Sequence, residues 1–497
     1  MGISYFSKNM KQSNLFWLFL CSFWLSAWSL QAQKLSSKPE EYIGQVHRLL
    51  LATNQPPVIQ AADNFKTAWE GGLFTAGQQT KIMAISQKIL DKRLRTAVDL
   101  KDFLVSLQIG VEKKGIKAAT LDNILEVSQK AFEKYDNKQM ILHIERLKDL
   151  LVYEAIYRSE FNNVYITDKN FLFAYIEPNA KREQAWFRGW DEAEPQEEYD
   201  ENGNLKKYPF PKVEGPVILF EKTDLIFVTA YDSVSLSSTK GAYIFQKDAF
   251  VGEKGRFNWD NMTVKTSADS SAKIARSRPQ IYADFEKYSF LVKEPLLKAE
   301  NVSLTYQNRV KETLKGRFEY QSQNRKNEKE IRYPFFQSYR DDVQLDVSAE
   351  IKYFGGVSVR GRMLYGSTFN KAALGYLSLI QEGKKQLQAR TKEIKLEENE
   401  IRSSSVNFSF YFSDGDSLWH SDLSLIYQVT NNPKDSASGT FRFLKEKNNE
   451  EIPFIDNYHQ IYITADMAII RLSSAQNIGK SFAIGVCLYR CTRQQAV

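Results

Sequence analysis

Gly255-Arg256-Phe257-Asn258-Trp259 and Gly316-Arg317-Phe318-Glu319-Tyr320 share one pattern, a glycine followed by alternate aromatic residues. Weaker copies stand at Gly361-Arg362-Met363-Leu364-Tyr365 and Gly439-Thr440-Phe441-Arg442-Phe443. A period of two puts both rings of a unit on one face of a strand and the residues between them on the other. The match extends beyond the glycine. Phe220-Glu221-Lys222 and Phe285-Glu286-Lys287 each run into an apolar strand, and Leu304-Thr305-Tyr306-Gln307 precedes Gly316 as Leu425-Ile426-Tyr427-Gln428 precedes Gly439. Recurrence of this kind signals a repeat architecture. The spacing between the glycines at 255, 316, 361 and 439 is uneven. That argues against a β-helix with fixed rungs and for stacked β-sandwiches or an interrupted β-solenoid, mainly antiparallel. Each glycine is expected to adopt φ > 0 at a turn or bulge, letting its aromatic pair enter the sheet.

Ahead of the repeats the period changes. Residues 39–157 carry apolar stripes at helical spacing: Tyr42, Val46, Leu49 and Leu50, then Ile82, Ile85 and Ile89, then Phe103, Leu104 and Leu107. Further stripes run through Leu121, Ile124 and Leu125 and through Met140, Ile144, Leu147 and Leu151. Pro39 opens the first helix, and breaks at Pro56-Pro57, Gly71-Gly72, Gly115 and Asp136-Asn137 divide the stretch into five or six. The chain therefore reads as an α+β multidomain protein, an all-α bundle or short α-solenoid followed by an all-β repeat region. The expected divisions are 1–32, a helical domain at 33–157, connecting β and loop at 158–212, repeat units at 213–325 and 326–480, and a tail at 481–497. Asp200-Glu201-Asn202-Gly203-Asn204 reads as a hairpin tip or a domain linker, and Lys384 to Arg402 fits a strand or a helix equally.

Lys8 and Lys11 precede an uncharged, mostly apolar run from Leu15 to Leu30, ending at Gln31-Ala32-Gln33. That order describes a secretory signal peptide cleaved after Ala32. The alternative is a membrane anchor, but the run spans only about 24 Å of helix against a hydrocarbon core of about 30 Å. Cys21 follows Leu20, where a lipobox requires a small residue. No later stretch is apolar enough to cross a membrane. Cys487 and Cys491 are the remaining cysteines, too few for a disulfide framework. The net charge of +7 falls to +5 once Lys8 and Lys11 are set aside. With no long basic block, the chain is a poor nucleic-acid binder.

Chemistry-bearing motifs are sparse. The four histidines, His47, His143, His420 and His459, show no zinc spacing, and no acidic calcium loop or phosphate cradle is present. No cofactor, metal site or catalytic residue is therefore assigned. One arrangement is similar to GDSL-type esterases: Gly415-Asp416-Ser417-Leu418 with Asp456-Asn457-Tyr458-His459. The resemblance implies Ser417 as nucleophile, His459 as base and Asp456 as its orienting acid. The short separation of the two blocks and the β-character between them depart from that family, and a β-turn at Asp414-Gly415-Asp416 is the plainer reading. Asp232-Ser233-Val234, Asp416-Ser417-Leu418 and Asp435-Ser436-Ala437 resemble the Asp-Ser/Thr-aliphatic acceptor of O-glycosylation in exported Bacteroidetes proteins.

Taken together, the signal-like N-terminus, Phe220-Glu221-Lys222-Thr223-Asp224-Leu225, the Gly-Arg-Phe units and Pro453-Phe454-Ile455-Asp456-Asn457-Tyr458-His459 resemble large uncharacterised exported proteins of Bacteroidetes with β-rich repeats. The resemblance covers roughly residues 160–480 and implies compartment and architecture, not an activity. Three functions stay open: a non-catalytic envelope scaffold or adhesin-like protein, a glycan or lipid binder stacking its ligand on Trp186, Trp190 or Trp419, and an esterase. The expected location is the periplasm, the outer-membrane surface or the medium. An envelope protein or a glycan is the expected partner.

Overall fold

A computed structural model describes residues 34–168, 171–177, 196–199, 205–208, 211, 213–264, 280–323, 331–412, 416–430, 438–446, 451–472, 486–489 and 494–496. It forms two compact units. The first is residues 34–156 with the described parts of Lys169–Ala180 and Glu214–Ile218; the second is Tyr157–Asp168 with the described parts of Lys181–Val213 and of the chain from Leu219 onward. Residues 1–32, Trp186, Trp190, Asp435-Ser436-Ala437 and Cys491 lie outside the described residues.

The first unit holds six α-helices: Pro39–Leu51, Pro56–Glu70, Ala76–Asp91, Lys101–Glu112, Ala118–Lys134 and Asn137–Tyr153. Prolines start the first two, where a missing N–H costs nothing. Thr75 with Gln78 and Asp136 with Gln139 form reciprocal capping boxes on the third and sixth. Each helix packs on its next-but-one neighbour, first on third on fifth and second on fourth on sixth, and the first also packs on the second. Tyr42, Phe65, Trp69 and Phe74 form one ring cluster, with Tyr42 against Trp69 at 5.2 Å. The strand Phe171–Ile176 lies against the fifth helix, where Lys130 and Lys134 hold Glu177 at 2.8 and 3.0 Å and cover the ring of Tyr175.

His143 is fully buried in this unit, bonded to the Ser128 hydroxyl at 2.9 Å and edge-on to Phe132. Burial holds its pKa down to about 3. An unfolded histidine titrates near 6.5. Below that pH the unfolded chain takes up a proton that the folded chain refuses, so stability falls as pH drops, by about 1 kcal/mol per unit until pH nears 3. The urea midpoint of the helical unit should fall between pH 7 and pH 5, and His143→Gln should flatten that slope. An unchanged slope in the variant would assign the acid sensitivity elsewhere.

In the second unit every strand pairing is antiparallel among the described residues. The stretch from Asp232 to Gln321 is a meander, whereas further along strands pair with non-consecutive neighbours, Phe335–Ser338 with Val357–Arg360 and Ile351–Gly355 with Gly375–Gln381. The strands Asp232–Ile244, Ala249–Asn258, Ile281–Leu291, Leu296–Tyr306 and Leu314–Gln321 follow one another as neighbours. The sheet is sharply curled. Phe257 and Phe318 sit three strand spacings apart, about 14 Å in a flat sheet, yet their ring centroids lie 5.0 Å from each other. Bulges between Ser237 and Lys240 and between Ala299 and Val302 supply the bend. The curl is tied at one end by Asp232, fully buried, whose Oδ1 accepts from Thr229 Oγ1, Tyr320 Oη and Ser322 Oγ at 3.0, 2.6 and 2.6 Å.

Further along, two long strands, Glu400–Tyr411 and Ser417–Thr430, each take two successive partners along one edge. One half of Glu400–Tyr411 pairs with Glu393–Leu396 and the other with Lys384–Thr391, so Lys384 to Arg402 is strand. Ser417–Thr430 likewise divides between Ser438–Leu444 and Phe454–Asp456. Gln196–Tyr199 pairs with Leu205–Tyr208, as expected for strands flanking a tip at 200–204.

The rings of the repeat units face the core. Phe257, Trp259, Phe318, Tyr320, Tyr365, Phe441 and Phe443 are all buried, each worth about 1.5–3 kcal/mol, while in the third unit Met363 is half-buried and the intervening Leu364 is buried, so alternation fails there. In the other units the residues between the rings point outward, where Arg256 grips Asp284 on the next strand through two hydrogen bonds. The first three units share one core rather than stacking as separate bodies. Phe257 and Trp259 pack on Phe318, and the Trp259 indole donates to the Gly361 carbonyl at 2.7 Å.

The expected φ > 0 holds at Gly361 but not at Gly255, Gly316 or Gly439. Gly255 and Gly439 are glycine because a ring lies on them, and Gly316 because the Gln337 carbonyl of the next strand and the Phe336 ring both crowd it. A Cβ at Gly255 would come within 2.8 Å of Tyr288 Oη, and one at Gly316 within 2.6 Å of Phe336 Cζ; at Gly439 it would overlap Tyr427. Tyr288 also covers Gly252, and Tyr353 covers Gly355, Gly366 and Gly375. Each of these two tyrosines finishes its path across the glycines by donating to a backbone carbonyl, Lys254 at 3.1 Å and Gly356 at 2.9 Å. A bare backbone under a flat ring recovers the packing that the missing side chain gives up.

Candidate functional site

Ser417–Thr430 carries the first half of the motif, and its start pairs with Phe454–Asp456, placing Leu418 opposite Asp456 and Trp419 opposite Ile455. Phe454–Asp456 in turn pairs with Ile461–Ile463, with Ile455 opposite Tyr462. Alternation turns Leu418, His420, Phe454, Asp456 and Ile463 into the core. It turns Ser417, Trp419, Ile455 and Tyr462 to the other face, where Trp419 is 38% and Tyr462 41% exposed.

The two halves of the motif meet. Ser417 N–H donates to Asn457 Oδ1 at 2.6 Å, and Asn457 N–H returns a bond to the Ser417 carbonyl at 3.2 Å. The turn after Asp456 is fastened by that carboxylate, whose Oδ1 accepts from the N–H groups of Tyr458 and His459. Its Oδ2 accepts from His459 Nδ1 at 2.9 Å, which orients the imidazole ring. Asp456 is buried while the His459 side chain is largely exposed. Tyr458, 56% exposed, stands edge-on to His459 at 4.7 Å and near Phe412 at 6.2 Å.

An orienting acid and an oriented histidine are therefore present, but among the described residues no hydrogen bond joins the Ser417 hydroxyl to His459. Ser417 also lies along a strand, with its backbone in a ladder, and not at a strand-to-helix turn. What the arrangement offers is an oriented imidazole beside the exposed ring of Tyr458.

The other histidines have local roles. His47 bonds Asp63 at 2.7 Å between the first two helices. His420 accepts at Nδ1 from Asp422 N–H, donates from Nε2 to Ile452 O, and is pushed down in pKa mainly by burial. Among the described residues no group of three or more His, Cys, Asp or Glu side chains could hold a metal ion. The first glycosylation-like sequon begins at the fully buried Asp232, and the second has Ser417 half-buried in its strand. No helix among the described residues is long and apolar enough to cross a membrane.

Sequence reasoning singled out Trp419 and missed its partners Ile455, Tyr458 and Tyr462. A usable signal was there: from Ile452 to Ala465 Asp456 is the sole charged residue, and Ser417 to Ser421 has none, in a chain that is 26% charged. No family model, characterised protein or solved structure matches the chain.

Proposed function

We propose that the chain is an exported, non-catalytic scaffold or adhesin-like protein of the cell envelope, which acts by binding rather than by turnover. The observation that carries this reading is the inward orientation of the repeat-unit rings. Aromatic rows lining a groove would suit a ligand channel; rows packed against glycines build a rigid body with a charged exterior. The run Leu15 to Leu30 behind Lys8 and Lys11 supports export. The sparse chemistry around Ser417 supports the absence of turnover.

Fractionation of expressing cells, with sequencing of the mature N-terminus, tests the proposal. The expected product is envelope-associated and begins after Ala32; a cytosolic chain that retains Met1 would overturn it. Purified protein should leave p-nitrophenyl butyrate at the buffer rate, with Ser417→Ala indistinguishable from wild type. Hydrolysis lost on that substitution would restore the esterase reading.

A further inference from the structure

Thirteen large apolar side chains are exposed among the described residues, and four of them, Trp419, Ile452, Tyr458 and Tyr462, belong to the strands and turns around Asp456. Trp419, Ile455 and Tyr462 occupy directly opposed positions on three adjacent strands. Two strand spacings put Trp419 and Tyr462 about 10 Å apart along a straight line across the sheet. This row is continued along its strand by the Asn457 side chain, two residues beyond Ile455 and fixed by the Ser417 N–H.

We propose that this face is a binding platform for a neutral oligosaccharide. A pyranose ring has an apolar C–H face and a hydroxyl edge. The first needs a flat aromatic partner, and the second needs directional donors and acceptors that are already oriented. Trp419 and Tyr462 supply two such partners in line, as a linear chain of sugars would require. The Asn457 amide, whose oxygen is held by the Ser417 N–H, keeps its N–H groups to donate. Charge complementarity selects the occupant. The face carries no exposed Asp, Glu, Lys or Arg between Ser417 and Ser421 or between Ile452 and Ala465. A nucleic acid or an anionic lipid surface needs cations there. The platform rests on the reading of the chain as a binding protein, and it names the ligand class.

Affinity electrophoresis in native gels cast with xylan, mixed-linkage β-glucan, galactomannan or starch tests it, using the full chain. At least one of these neutral polysaccharides should retard the protein. Trp419→Ala and Tyr462→Ala should each weaken retardation by about tenfold, both with unchanged circular dichroism. Tyr231→Ala, which removes an equally exposed ring elsewhere, should bind as wild type. Should Trp419→Ala fold poorly, Tyr462→Ser carries the same test. Retardation by none of the four gels would overturn the platform, as would retardation indifferent to both rings or binding confined to phosphatidylglycerol vesicles. An envelope-located protein that binds none of them would sink the platform while leaving the scaffold reading standing.

Discussion

Gly252→Ala should lower the stability of the second unit by about 3 kcal/mol, the upper part of the range for overpacking. Its new methyl group would land on the ring of Tyr288, which is fully buried. That ring has nowhere to go. It lies nearly parallel to Phe290, within 6.4 Å, stacks on Phe250, and meets Phe285 edge-on at 5.5 Å. Interiors packed to this density transmit a clash rather than absorb it. Tyr288→Leu alone should also destabilise, through lost ring contacts and a cavity, by about 3 kcal/mol. The double variant decides the argument. With the ring gone the methyl group has space, so the combined loss should be smaller than the sum by about 1–3 kcal/mol. Urea unfolding followed by near-UV circular dichroism measures all three. Simple additivity would mean that the ring and the glycine do not constrain each other.

Asp232→Ala should cost about 3–5 kcal/mol. One buried carboxylate oxygen gathers the hydroxyls of Thr229, Tyr320 and Ser322, and these come from the two ends of the curled sheet. Alanine strips three donors of a charged acceptor in a place that water does not reach, and each orphaned group adds its own desolvation penalty. Asp232→Asn keeps an acceptor oxygen at nearly the same position, so it should lose about half as much. The ordering of the two variants is the sharper check, because a purely steric role would rank them alike. An alanine variant within 1 kcal/mol of wild type would show that the tie is dispensable.

Much of the helical unit is legible because its boundaries are written in residues with local consequences. Pro39, Pro56, Thr75 with Gln78 and Asp136 with Gln139 each act within one turn of where they stand. The break after Asp91 is not marked this way. Arg93 takes a left-handed conformation, φ 54°, that glycine or asparagine would have announced, and a π-turn at Thr96–Leu100 follows it. In the β-region alternation gives strands and their faces, as in Val406, Phe408 and Phe410, which are all buried. It cannot give pairing. Phe257 meeting Phe318, Trp259 reaching Gly361, and Trp419 aligned with Tyr462 are facts of curl and register, set by bulges and long-range partners. The glycines were visible, and their reason was not, because a ring from another strand supplies it.

The candidate site divides along the same line. Asp456 and His459 lie three residues apart, and their hydrogen bond follows from a turn that the carboxylate itself fastens. The exposed row beside them depends on the pairing of Ser417–Thr430 with a strand more than thirty residues away, which no local pattern encodes.

The flat tyrosines also constrain how this chain can change over generations. At Gly252, Gly366 or Gly439 a lineage cannot acquire even a methyl group while the covering ring is full-sized. The ring must shrink first, and that intermediate carries a cavity. Only one order of events is open at each pair, and its first step is itself costly. Descendants should therefore keep the glycine and its tyrosine together or have lost both.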